Sequence, residues 1–305
     1  MTLANAMLRF AKSVMGDGGA QFATAFQARG QAQAAAPMLE FAPAGRPGAL
    51  QHQSWIDDLL IIRAFMLREL RVRYQFNPMG FLMEMLRPTI VIGAHYVFFL
   101  FSPRTIPAGV PLEVFVLGGF TAWFCFQTTY NAMLHAIVSP SYCRLPGLTK
   151  MHIRLSRAGF NLIINIMFIY IVVFLLKILG DNIPFPDIAL MVFVMISLTA
   201  MGFGIGLFME SLARALPVLD PIAHMMTWGF YITSGMYGCV SMSTGLLTPY
   251  YLANPVLNMI EYARHAMDPA YPIALVSMTY FLWWTGISLV AGLLVSHALR
   301  RVEHK

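Results

Sequence analysis

The sequence predicts an all-α, polytopic integral membrane protein, and three observations carry that prediction. Of its 305 residues, 58% are hydrophobic and only 11% are charged, with a mean hydropathy of +0.65, outside the range of a soluble globular domain. The apolar stretches beyond residue 84 provide about six helical crossings at roughly 20 residues each. The basic residues also sort by side. Those near 63–87, 144–157, 214 and 300–305 fall on alternate connections, while Arg104, Lys177 and Arg264 lie on or near the others. Cytoplasmic connections are enriched in Lys and Arg, so both termini are expected in the cytoplasm. The same sorting explains the net charge of +6 and the pI near 9.3 without a nucleic-acid-binding patch.

Taken in order, residues 1–53 are rich in Ala, Gln, Gly and Pro and lack the apolar run of a signal peptide; they read as a disordered cytoplasmic tail. Residues 54–78 read as an amphipathic interface helix. Ile56, Leu59, Leu60, Leu67 and Leu70 share a helical face that Arg63 interrupts, and Arg68, Arg71 and Arg73 stand among apolar neighbours, as in a helix whose basic side chains reach toward headgroups. The same residues also fit a simple basic flank on the cytoplasmic side of a first span.

A transmembrane domain is expected over 79–300. Its first span is Pro88–Ser102 with an apolar approach from Phe81, its second about 112–138, its third about 158–180, its fourth about 188–213, its fifth about 217–240 and its sixth about 273–298, before a cytoplasmic tail at 301–305. The polar connection 139–157 carries Arg144, Lys150, Arg154 and Arg157 and is placed inside; GDNIPFPD, with no basic residue, is placed outside. Between spans five and six, SMSTGLLTPYYLANPVLNMIEYARHAMDPAYP is too broken by Pro for one crossing and too apolar for an ordinary loop. Two short re-entrant helices split near Leu252–Pro255 are expected, because non-helical backbone at membrane depth survives only when packed on protein or lining a wet cavity.

The residues exclude some chemistry and leave other readings open. No G-x-x-x-x-G-K-[ST] loop occurs, so the chain holds no P-loop ATPase site and active transport would need a partner to supply energy. Cys125, Cys143 and Cys239 have neither disulfide nor zinc spacing. His95, His135 and His224 fall within spans at spacing that is not metal-like, and no metal site is expected. Glu210 and Asp220 flank a tight inner turn where Arg214 is available as a partner, and Gly202-Phe203-Gly204-Ile205-Gly206 reads as close helix packing in lipid. Glu261 and Arg264, at i and i+3, can pair on a helix. Tyr96, Trp123, Phe124, Phe126, Tyr130, Trp228, Tyr231 and Tyr237 are candidates to stack on sugar rings, or else belong to lipid-facing aromatic belts. A membrane-embedded glycosyl or lipid transferase would need clustered acidic or His residues, and its nearest candidate, Asp57-Asp58, belongs to no such cluster in the sequence.

Three segments carry a family resemblance. Arg68-Glu69-Leu70-Arg71-Val72-Arg73-Tyr74, then Gly80-Phe81-Leu82 and Pro88, resembles the entry segment of ABC type-2 permeases that export polysaccharides, and is most similar to capsular polysaccharide permeases. Met83 stands where that pattern usually has Trp, and Arg87 where an acidic residue is common. The run Arg144, Leu145, Pro146, Lys150, Arg154, Arg157 resembles the segment through which such permeases couple to their ATPase. Asn254-Pro255 followed by Glu261, Tyr262 and Arg264 resembles the run between the last two spans that caps the outer mouth. The resemblance spans about residues 55–300.

It implies a permease subunit of a bacterial inner membrane, with no catalytic site and no cofactor in this chain. The implied partners are a second copy of itself, two ABC ATPase subunits that bind ATP and Mg, the polysaccharide, and export proteins of the periplasm and outer membrane. O-antigen, teichoic acid and small drugs travel through the same fold, so the substrate class stays open among them.

Overall fold

The computed structural model describes residues 55–74, 78–101, 109–135, 149–180, 186–240, 245–246 and 248–303. Every regular element among them is helical: α1 (Trp55–Tyr74), α2 (Pro78–Phe101), α3 (Leu112–Leu134), α4 (Lys150–Ile178), α5 (Ile188–Ala215), a 3-10 turn (Pro217–Leu219), α6 (Asp220–Thr233), α7 (Thr248–Leu252), α8 (Pro255–Met267) and α9 (Met278–Glu303). Among the described residues four stretches are long and apolar enough to cross a membrane, namely Leu82–Phe101, Lys150–Ile178, Ile188–Ala215 and Met278–Leu299.

The structural axis is a long helix that is not one of these four. α3 packs on α5, α8 and α4, and more lightly on α2 and α6. Most of its residues from Leu112 to Phe126 are buried. Such a helix is covered by protein all round, which is how it accommodates Thr121, Gln127, Thr128, Thr129 and Asn131 within its length. Thr121 and Thr128 return their hydroxyls to the carbonyls of Leu117 and Phe124. Asn161 and Asn165 of α4 donate to the Thr128 carbonyl at 3.2 Å and to its hydroxyl at 3.3 Å, a polar seam between the two helices.

Small residues set the other crossings. In the glycine run of α5, a Cβ at Gly202 would lie 2.6 Å from the Phe126 carbonyl oxygen, and one at Gly206 would lie 2.9 Å from that of Tyr130, so both face α3. Gly204 faces the opposite way, where a Cβ would stand 2.7 Å from the backbone of Ser288 and Leu289 on α9. Gly292 of α9 completes that contact, since its Cβ would come within 2.4 Å of the Gly204 carbonyl oxygen. Backbones meet at these places, as small residues allow when hydrophobic burial in lipid offers little drive for association.

Several boundaries differ from those expected of the sequence. The third crossing starts at Lys150, within the stretch read as a polar loop, because Thr149 caps it and shares a capping box with His152. The fifth crossing, expected over 217–240, is a 14-residue helix of about 21 Å, shorter than a hydrocarbon core of about 30 Å. It ends at Ser234, and a turn through Gly235, at φ +68°, reverses the chain. The polar stretch before span six contains two short helices, α7 and α8, parted at Ala253-Asn254, where the Asn254 side chain accepts from the Val256 N–H and caps α8.

Candidate functional site

α8 is buried from Pro255 to Ile260 and along most of its remaining length, and it carries the most concentrated polar chemistry in the described chain. Glu261 and Arg264 pair at 2.8 Å with 1% of each side chain exposed. Arg264 also donates to the Phe115 carbonyl at 3.2 Å, to the Gly235 carbonyl at 2.9 Å and to the Tyr271 hydroxyl at 3.4 Å. Its guanidinium carbon stands 3.7 Å from the centre of the Phe115 ring. The Tyr271 hydroxyl donates to Glu261 at 2.9 Å, and the Cys239 thiol lies 3.6 Å from the same carboxylate. The pair therefore joins α3, the turn after α6, α8 and the segment before α9.

Sequence spacing pairs Glu261 only with Arg264; Tyr271, Cys239 and the two carbonyls arrive from other elements. One local signal for this site was Gly118-Gly119 in α3. A Cβ at Gly118 would stand 3.3 Å from the Arg264 Cα, and one at Gly119 would stand 2.8 Å from its guanidinium. Asn254 and Pro255 start α8, with Asn254 Nδ2 donating to the Thr233 hydroxyl at 2.8 Å and the Phe230 carbonyl at 3.2 Å. Tyr262 is partly buried against the main core.

Aromatic side chains form a continuous series along α3. Trp123 and Phe126 lie 5.6 Å apart between ring centres, and Phe126 stacks on Tyr130 at 5.9 Å and 17°. Tyr231 of α6 meets Trp123 at 5.3 Å, Tyr237 at 5.7 Å and Trp228 at 6.2 Å. His95 orders the polar end of the series. Its Nδ1 donates to the Val91 carbonyl, so its Nε2 accepts from the Tyr231 hydroxyl at 2.9 Å, and Tyr237 donates in turn to Tyr231 at 3.3 Å. Trp123, Phe126 and Tyr130 are buried within the chain, whereas Trp228 is 68% and Tyr237 46% exposed. Tyr96 points elsewhere and donates to Glu113 at 2.8 Å.

The N-terminal end of α4 holds the second ionic cluster. Arg154, 1% exposed, pairs with Glu210 of α5 at 2.8 Å, and Arg214 holds the other carboxylate oxygen at 2.9 Å. The Ser296 hydroxyl of α9 lies 3.5 Å from Arg154. Glu210 thus has a partner beyond the expected Arg214, because residues 150–157, read as part of a loop, are the first turns of a helix that brings Arg154 into the bundle. The Arg157 side chain sits partly buried one turn further along. Replacing Arg154 with Ala leaves Glu210 with Arg214 and the Ser211 hydroxyl and is expected to cost about 1–3 kcal/mol. A lowered apparent melting temperature of the purified protein in detergent checks this, and an unchanged one removes Arg154 from the bundle's support.

α1 docks on this end through polar groups. Asp58 pairs with His152 at 3.1 Å, and the Ser156 hydroxyl donates to the Ile62 carbonyl at 3.0 Å. Asp58, without a partner in the sequence reading, finds one on a helix nearly a hundred residues away, a contact invisible to local spacing. The apolar stripe Ile56, Leu59, Leu60, Leu67 and Leu70 is exposed, as are Arg63 and Arg71. Arg68 lies 5.6 Å over the Phe65 ring, and Glu69 is partly exposed. The side chains of Arg73 and Tyr74, and residues Arg144, Leu145 and Pro146, lie outside the described residues.

Comparison with curated proteins finds two polysialic acid transport proteins KpsM of Escherichia coli. One is 23% identical over 237 residues and the other 22% over 238 residues, each alignment covering 76% of this chain and 90% of the relative. No protein-family model matches the chain. The homology is distant and extends over nearly the whole of each relative.

Proposed function

From this distant homology to polysialic acid transport proteins, we propose that the chain is the transmembrane permease subunit of an ATP-driven ABC exporter that moves a capsular, lipid-linked polysaccharide across the inner membrane. The alignment over 90% of each relative carries the reading, and four helices long and apolar enough to cross a membrane are consistent with it. The chain lacks a P-loop, so two ABC ATPase subunits supply the energy and hold the ATP and Mg. Two copies of the chain face each other to enclose a conduit, with both termini in the cytoplasm.

Within this scheme α1 and the start of α4 receive the ATPase motion. Lys150, Arg154 and Arg157 lie on the first turns of α4, and the Asp58–His152 and Ser156–Ile62 contacts make α1 move with it. The Arg154–Glu210–Arg214 cluster and Ser296 pass that displacement to α5 and α9. At the other end, Asn254, Pro255, Glu261, Tyr262 and Arg264 hold α8 as the outer gate. Sugar rings present apolar faces and hydroxyls together, and the exposed rings of Trp228 and Tyr237 beside Tyr231 offer both stacking and phenolic hydrogen bonds.

Deleting the gene and separately assaying surface and cytoplasmic polysaccharide tests the proposal. Loss of polymer from the surface with accumulation inside is the expected result. Absence of polymer everywhere would indicate a synthetic enzyme, and an unchanged surface would indicate another cargo.

A further inference from the structure

The ends of α3 and α6 bring together two histidines that are 89 residues apart in the chain. His135 caps the C-terminus of α3, and His224 lies in the second turn of α6. Their Nε2 atoms face each other at 3.4 Å, with ring centres 5.1 Å apart and planes at 82°. The remaining nitrogen of each ring is committed. His135 Nδ1 lies 2.9 Å from the Asn131 carbonyl oxygen, and His224 Nδ1 lies 2.9 Å from that of Asp220.

A carbonyl oxygen only accepts, so each Nδ1 carries a proton and donates. In the neutral rings both Nε2 atoms then present lone pairs, 3.4 Å apart. His95 shows the contrasting case: its Nδ1 is committed in the same way, but its Nε2 meets a hydroxyl that donates to it. Between the rings of His135 and His224 a donor exists only when one ring carries a second proton. A cation placed there relieves the repulsion and satisfies both.

We propose that His135 and His224 are two ligands of a divalent transition-metal site that ties α3 to α6. Two nitrogens bound tetrahedrally at about 2.0–2.1 Å stand roughly 3.3–3.4 Å apart, the separation already present. Donation of the second ring nitrogen to a backbone carbonyl is the usual arrangement around a ligating imidazole, since it fixes the tautomer and orients the lone pair. The backbone on both sides is held close by, because Tyr130 of α3 donates its hydroxyl to the carbonyl of Ala223, the neighbour of His224. Among the described residues no group of three or more His, Cys, Asp or Glu side chains surrounds one point. Among the described residues the protein provides two ligands, water fills the positions left over, and the class of ion is one that favours imidazole, with Zn2+ as the probe. Both histidines are exposed, which leaves the ion a path of entry.

Zn2+ titrated into the purified full chain in lipid nanodiscs, followed by calorimetry, tests the site. His135→Ala and His224→Ala are each expected to weaken binding by at least about tenfold, and the double variant to do no worse than the weaker single. His135→Gln and His224→Gln, which keep a polar side chain at these exposed positions, are expected to behave like the Ala variants; His297→Ala, at an exposed position on α9, is expected to bind like the wild type. Equal Zn2+ binding by the wild type and the double variant, including none by either, would overturn the proposal.

Discussion

Glu261→Ala is expected to lower the stability of the protein by about 3–5 kcal/mol, because it leaves the Arg264 guanidinium buried without its counter-ion. Both side chains are 1% exposed, and the Tyr271 hydroxyl loses the same acceptor. Glu261→Gln keeps a carbonyl oxygen for Arg264 and Tyr271 and fills the space, so it is expected to fall between wild type and Ala. Truncating both partners to apolar residues, as in E261M with R264M, removes the uncompensated charge and is expected to recover part of the loss. Apparent melting temperatures by fluorescence-detected gel filtration give the order wild type, Gln, Ala, with the double variant above Ala. An unchanged melting temperature for Glu261→Ala would show that α8 is held by its apolar packing alone.

Gly204→Val and Gly292→Val are expected to force α5 and α9 apart, at a cost of about 3 kcal/mol or more for each. At both positions a side chain would enter backbone atoms, which cannot rotate away as the tip of a flexible side chain can. Gly286→Ala in the same α9 helix meets nothing within 4 Å. It is expected to be neutral or to stabilise by up to about 1 kcal/mol through helix propensity. Yield of monodisperse protein and its melting temperature measure the contrast. Similar behaviour of Gly286→Ala and Gly204→Val would mean that helix propensity, and not the crossing, decides the outcome.

The two predictions draw unequally on the sequence. The glycine run of α5 is legible as close packing, but its division into two faces, with Gly202 and Gly206 toward α3 and Gly204 toward α9, follows from the arrangement of the neighbours. Glu261 and Arg264 are legible as a pair at i and i+3, whereas their burial and their ties to Phe115, Gly235 and Tyr271 are not. The start of α4 shows the opposite failure. Its Lys, His, Ser and Arg residues read as a polar loop, since sequence alone gives no sign that Asp58, the Ile62 carbonyl and Glu210 lie opposite them. A polar residue on a membrane helix is affordable once a partner exists, and the partner here comes from another helix.

By itself the sequence determined that the chain is helical and membrane-embedded, where its chief breaks fall around Pro and Asn, and which polysaccharide-exporting family it resembles. Those properties depend on composition, periodicity and short motifs, all of which act within one or two helical turns. Tertiary structure alone decided that the moderately apolar α3 lies at the centre, that the fifth expected crossing is a short helix ending in a turn, and that His135 meets His224. Each of these depends on which helix faces which, and close approach at glycines and pairing of buried charges fix that choice over separations that no local pattern records.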